Sequence, residues 1–340
     1  MQQGWDDARA YIERSRELRD TLGVPDGEEL HLAPLAQGEH NSNFLLTWNG
    51  EPGKAILRLN FSSQMGLDDQ VGYEFAALQG LAASGRTPAP LFADGSRTVV
   101  GRGVLAMEFC EGRHLEYTRP GDVNAAASIL ADIHSVRPHE DSPLVRPADP
   151  LAEQLRECVG LFAVYRSWAQ ADVQVVKTVD RLFKRTQDTL NTVSNATDRE
   201  HILNTEAVSD HFLIPGDGAG ARMVDWEKPI IGEVAQDVAY FLSPTTTIWK
   251  IDFIFSDEER ARFVDAYWQA VDDRFPRRGF DERFAAYVQT NCLRGITWSA
   301  AATVEYRNPE RALKNADTEA RLGLYLAPGF LSSMEQRFFS

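Results

Sequence analysis

Residues 201–244 put acids at the turns of a segment that reads strand, turn, strand, helix. Glu206 lies in the loop after the run HIL, His211 opens FLI, and Asp225 ends MV. The two strand-like runs are separated by PGDGAGAR, so a hairpin brings the 204–211 loop and Asp225 to one end. Carboxylates gathered there can hold a divalent cation such as Mg²⁺ and orient a hydroxyl. A single loop acid is equally well read as a solvated surface charge. Asp225 stands apart, because Val224 and Trp226 flank it and predict burial. Asp237, inside the apolar run VAQDVAYFL, reads as a structural acid that accepts loop N–H groups.

Three other places could contribute to the same chemistry. In QGEHNSNFLLTW, Gly38, Asn41 and Ser42 lie between two strand-like runs, where backbone amides can approach a phosphate or simply make a turn. Arg58 sits in the strand-like run KAILRLN. Glu74 shares a helical face with Val71, Leu78 and Leu81, so it falls on an apolar stripe. A carboxylate there needs a partner, and Arg58 is the natural one, unless Glu74 lies at the edge of the stripe in water. MEFCEG, with Glu108 and Cys110, is a short extended link whose backbone groups can meet a base edge.

Several elements must position these residues. Residues 5–22 have helical spacing. LAPLA, NFLLTW and KAILRLN are strand-like, with a second turn at Asn49-Gly50 and Pro52-Gly53. A helix is expected from about Asp68 to Ala83, and LFAD, RTVV and GVLAMEF continue the strands. From Gly112 the chain turns helical, over 122–135, twice within 150–194, and over 257–275, 281–305 and 309–325. The expectation is an α+β chain of two lobes. Residues 1–110 form a small antiparallel lobe with a leading helix, and 111–340 a helical lobe carrying the 201–228 hairpin.

Composition narrows the function. A net charge of −15 argues against nucleic-acid binding and against anionic membranes. The chain has six Lys against 29 Arg. Cys110, Cys158 and Cys292 are odd in number and far apart, which points to free thiols in a reducing compartment rather than a disulfide framework. No run is long and apolar enough for a membrane span, and no leader pattern opens the chain, so a cytoplasmic location is expected.

Taken in order, these motifs resemble the aminoglycoside phosphotransferase/choline kinase-like family, relatives of protein kinases. AQGEHNSNFLL is similar to its nucleotide loop, AILRLN to its phosphate-binding strand and YEFAALQGL to the helix with the paired Glu. VLAMEFCEG is similar to the interlobe link and AASILADIHSV to the helix before the catalytic region. VDWE resembles the metal-binding acid, and GEVAQDVAYFLS the following helix start. The resemblance covers about residues 30–300. It implies a bilobal protein-kinase-like fold, ATP as donor, Mg²⁺ (or Mn²⁺) as cofactor and a small-molecule acceptor. Gly38, Asn41 and Ser42 would lie at the nucleotide. Arg58 and Glu74 would hold phosphates, and Glu108 and Cys110 would meet adenine through their backbones.

The catalytic loop departs from the family pattern H-G-D-x-x-x-x-N. Here it reads Asn204-Thr205-Glu206-Ala207-Val208-Ser209-Asp210-His211. Glu206 takes the catalytic place and His211 the metal-ligating Asn, while Asp225 is retained. His211 suits Mn²⁺ or Zn²⁺ better than hard Mg²⁺. A shifted alignment makes Asp210 the acid instead. Two functions follow: an ATP-dependent phosphotransferase acting on a small-molecule hydroxyl, or an impaired, pseudokinase-like protein that binds nucleotide or ligand. Trp168, Trp249, Trp268 and Trp298 lie in the acceptor half, either lining a pocket for a cationic or sugar acceptor or filling the core.

Overall fold

The computed structural model describes residues 4–38, 40–50, 53–216, 220–308 and 316–339. Of the expected elements, part of the second turn (Pro52), part of the Gly-rich turn (217–219) and the start of the 309–325 helix lie outside these residues.

The chain begins with α1 (Trp5–Arg14) and α2 (Arg16–Thr21). One continuous helix over 5–22 was expected. The break is at Ser15, whose extended backbone stops α1 and whose hydroxyl accepts the Leu18 N–H, capping α2. An antiparallel sheet follows: β1 (His31–Gln37), β2 (Asn41–Thr47), β3 (Lys54–Asn60), β4 (Pro90–Asp94) and β5 (Gly103–Glu108), in the order β1-β2-β3-β5-β4. RTVV is not a strand; Arg97 adopts a left-handed backbone (φ 58°) and the run turns back toward β5. Between β3 and β4 lies α3 (Gln70–Leu81), capped by Asp69. One face of the sheet packs on α1 and α2, through Tyr11, Ile12, Phe44, Leu57 and Phe92.

The rest is mainly helical. It comprises β6 (Arg113–His114), α4 (Pro120–His134), α5 (Pro150–Arg166), α6 (Val173–Thr192), β7 (His201–Leu203), β8 (Phe212–Ile214), β9 (Arg222–Met223) and β10 (Ile230–Gly232). Then come α7 (Ala235–Leu242), α8 (Pro244–Lys250), α9 (Asp257–Val271), α10 (Phe280–Arg307), α11 (Ala316–Tyr325) and α12 (Pro328–Phe338). β8 and β9 form the expected antiparallel hairpin, extended by β6, and β10 pairs with β7. These short strands bring the 204–211 loop and the 225–228 loop together.

The core of this half is helix on helix. α10 runs through it, packed on α5 and α7, and Phe212, Phe241 and Phe263 fill the space beneath the hairpin. α3 joins that core through Val71, Ala77 and Leu78. The Tyr73 hydroxyl donates to the Pro229 carbonyl (2.6 Å), fixing α3 to the loop that carries Asp225. The architecture is that of a bilobal, protein-kinase-like α+β fold.

Candidate active site

Antiparallel pairing of β2 and β3 puts Asn43 beside Arg58. The Asn43 side-chain oxygen accepts from Arg58 Nε (2.9 Å), which aims the guanidinium at α3. There Arg58 Nη1 meets Glu74 Oε1 at 2.7 Å and Asp225 Oδ1 at 3.2 Å. Arg58 and Glu74 are both buried, as the stripe position of Glu74 required. Burial opposes the Arg58 charge, but Glu74, Asp225 and Glu227 outweigh it and hold the group protonated above its ordinary range.

Asp225 has a left-handed backbone (φ 65°), uncommon outside glycine but tolerated by aspartate better than by most residues. The turn is locked by Trp226, fully buried, whose indole N–H donates to the Met223 carbonyl (2.9 Å). Burial pushes the Asp225 carboxyl up, but Arg58 and His211 outweigh it and keep it ionised. Glu227, two residues on, is different. Burial first, and then the neighbouring Asp225, push its carboxyl up to about 7. It accepts from the Asn41 side-chain amide and from Gln64 Nε2 (3.3 Å).

His211 Nε2 lies 3.3 Å from Asp225 Oδ2, and His211 Nδ1 is buried without a hydrogen-bond partner among the described residues. Among those residues no group of three or more His, Cys, Asp or Glu is arranged to hold an ion unaided. Asp225 and His211 nevertheless fit a phosphate-dependent site. Asp225 is the one carboxylate that Mg²⁺ with substrate phosphates would need, and the His211 nitrogen beside it would favour Mn²⁺.

The Glu206 loop is held from below. Asp237, fully buried, accepts the backbone N–H groups of Asn204 (2.7 Å) and Thr205 (2.8 Å). His134, from the LADIH run of α4, donates to the same carboxylate through Nε2 (3.4 Å). Thr205 is left-handed (φ 70°), a conformation costly for a β-branched residue by about 1–2 kcal/mol, and its hydroxyl donates to the Lys228 carbonyl (3.0 Å). Asn204 joins the two loops: its amide donates to the Asp225 carbonyl (2.8 Å) and its oxygen accepts the Glu206 N–H (3.1 Å).

The Glu206 carboxylate is paired with Lys228 Nζ at 2.5 Å and lies 3.9 Å from Arg294 Nη2. Burial raises its pKa, but Lys228 and Arg294 outweigh this and hold it below the usual range. Arg294, on α10, also takes Glu157 of α5 (3.0 Å). Asp210, the alternative acid, is paired instead with Lys250 of α8 (2.6 Å). Glu206 therefore shares its surroundings with Asp225, and Asp210 is drawn to α8.

At the sheet end, Gly38 N–H donates to the Asn41 carbonyl (2.9 Å), closing the β1–β2 turn. The Asn41 side chain bridges Asn60 (2.9 Å) and Glu227, while the Ser42 hydroxyl is buried with no partner among the described residues. Glu108 ends β5, and its N–H donates to the Ala89 carbonyl (2.9 Å). The half-buried Cys110 follows, its thiol pushed up to about 12 by burial. Trp168 and Trp268 pack against the core, and Trp249 and Trp298 meet edge to face at 5.1 Å.

Sequence reasoning overlooked Asn43, Glu227, Lys228 and Arg294. Two signals were available: Glu227 and Lys228 directly follow Asp225-Trp226, and lysine is scarce in this chain. Nothing local marks Arg294, which reaches the loop only through the packing of α10.

A profile of the phosphotransferase enzyme family matches residues 31–282. Curated protein sequences give no match. Solved structures do. A Ralstonia eutropha protein with an inferred aminoglycoside phosphotransferase activity is 14% identical, with 96% of this chain and 98% of that one covered and a TM-score of 0.66. A spectinomycin phosphotransferase solved with ADP and spectinomycin is 10% identical (95% and 96% covered, TM-score 0.61). A Plasmodium vivax ethanolamine kinase is 13% identical (95% and 87% covered, TM-score 0.60). At these identities the structures speak for the fold, while the profile spans most of the chain. The chain belongs to the phosphotransferase enzyme family.

Proposed function

We propose that this protein is a cytoplasmic, ATP-dependent phosphotransferase acting on a hydroxyl of a small molecule. The observation that carries this reading is the Asn204 bridge, which holds the ionised Glu206 and Asp225 loops together beside the Arg58–Glu74 pair. Related structures solved with ADP, AMP or AMP-PNP support a nucleotide donor. Gly38 and Ser42 border the donor side, and the Glu108 carbonyl and the Cys110 backbone suit the base.

Arg58, held by Glu74, orients the donor phosphates. Asp225 and His211 would hold Mg²⁺ or Mn²⁺, which would neutralise phosphate oxygens when bound. Glu206 accepts a hydrogen bond from the acceptor hydroxyl and aligns its oxygen. As the bond from phosphorus to that oxygen forms, the bond to the β-phosphate oxygen breaks, and the hydroxyl proton passes to Glu206 and then to water. A carboxylate held below its usual pKa is a weak base, which suffices because the loose transition state depends mostly on position and charge.

A second reading, nucleotide binding without transfer, is favoured by one observation: Lys228 occupies the Glu206 carboxylate. Calorimetric titration of ATP with Mg²⁺ or Mn²⁺, followed by turnover against a panel of alcohols, separates the two. Asp225→Asn is expected to lose metal-dependent binding. Glu206→Gln is expected to keep binding and lose about 10²–10⁴-fold in turnover. Turnover unchanged in Glu206→Gln would remove Glu206 from the mechanism. Binding with no transfer to any acceptor would favour the second reading.

A further inference from the structure

Lys228 is three residues past Asp225, and its ammonium reaches the Glu206 loop and the connection between β3 and α3. Nζ donates to Glu206 Oε1 (2.5 Å) and to Gln64 Oε1 (3.0 Å), with the side chain only 15% exposed. The backbone is fixed at the same point, because the Lys228 carbonyl accepts the Thr205 hydroxyl. One largely buried ammonium thus lies on the carboxylate that faces the acceptor, three residues along the chain from Asp225.

In-line transfer brings the moving phosphoryl group up to the hydroxyl oxygen that Glu206 orients, and so up to this ammonium. The geometry points to Lys228 as the residue that binds the γ-phosphate of ATP, giving up Glu206 to do so. This rests on the phosphotransferase reading above. Lysine is suited to such an exchange, being a compact charge with three donors on a flexible stem. Gln64, a neutral acceptor, keeps the ammonium within reach of either partner. A γ-phosphate carries more charge than one carboxylate and draws the ammonium from it. Glu206 Oε1, the oxygen that Lys228 holds, is then released to the acceptor hydroxyl. The Lys228–Glu206 pair is therefore a means of ordering the two substrates, and the carboxylate becomes available once nucleotide is in place.

The test is calorimetry with a non-hydrolysable ATP analogue and with ADP, each with Mg²⁺ or Mn²⁺, so no acceptor need be known. Lys228→Met is expected to weaken the ATP analogue by about tenfold and ADP by less than about twofold. Lys228→Arg should restore most of the lost affinity. Glu206→Gln should tighten the ATP analogue and leave ADP unchanged, because Lys228 loses its competing partner. An equal loss for both nucleotides in Lys228→Met would make Lys228 a structural residue and overturn the assignment. No loss for either, or no tightening in Glu206→Gln, would overturn it as well. A wild-type chain that binds neither nucleotide would overturn the phosphotransferase reading itself, and this assignment with it.

Discussion

The two sides of the site balance charge differently. On the donor side three carboxylates, Glu74, Asp225 and Glu227, gather around one arginine, Arg58. On the proposed acceptor side three acids face three cations: Glu206 has Lys228, Asp210 has Lys250, and Arg294 holds Glu157 and lies near Glu206. The titration directions follow. Glu227 is pushed up to about 7 by burial and Asp225, whereas Glu206 and Asp210 are held low by their cations in spite of burial. The donor side is short of positive charge, which a bound cation would supply. The acceptor side is already neutral, and its cations can be exchanged rather than recruited.

The largest effect expected from this difference is on stability at Arg58. Arg58→Met strands Glu74 in the core, and breaking a buried pair from one side costs about 3–5 kcal/mol. Replacing both partners, Arg58→Met with Glu74→Met, should recover the part of that loss due to Glu74, while Asp225 still lacks its arginine. Urea unfolding measures both. A single variant that loses less than about 1 kcal/mol would mean Glu74 finds water or a proton cheaply, and the donor side would not be short of charge.

A smaller effect is expected from Glu227, with a definite sign. Its folded pKa of about 7 lies above the ordinary glutamate value. The stability it contributes is therefore present at low pH and is lost as pH rises from about 4.5 through 7. In metal-free buffer Glu227→Gln should match wild type below about pH 4 and exceed it by about 2 kcal/mol at pH 8, after allowance for partial exposure. Parallel pH profiles for the two proteins would show that Glu227 carries no strain of charge. That would leave Arg58 sufficient for all three acids.

The donor side was also the more legible in sequence, for a physical reason. Its residues declare themselves against an apolar background. Glu74 breaks the stripe of Val71, Leu78 and Leu81, and Asp225 stands between Val224 and Trp226, so burial of a charge could be read locally and a partner demanded. The acceptor side offers no such contrast. Arg294 is one arginine among many, and only the packing of α10 on α5 and α7 carries it to Glu206. Lys228 was masked by its place beside two residues already in view. The fold errors have the same origin. RTVV has strand-like apolar residues but no partner strand, and the helical spacing of 5–22 continues across Ser15 although its hydroxyl caps a new helix. Periodicity reports which side of an element is buried, and it is silent on what buries it.

The smallest effect expected is at the acceptor rim, and it is the control for the other two. Lys250 and Asp210 are 28% and 47% exposed, so their attraction competes with water and with salt. Lys250→Met should cost less than about 1 kcal/mol, and the cost should shrink further in 1 M salt. The Arg58→Met loss should hardly change with salt, because no counter-ion reaches a pair so deeply buried. Equal salt sensitivity at the two positions would mean that both sides of the site are screened alike. In that case the charge of Glu227, rather than the depth of Arg58, would have to explain why the two sides differ.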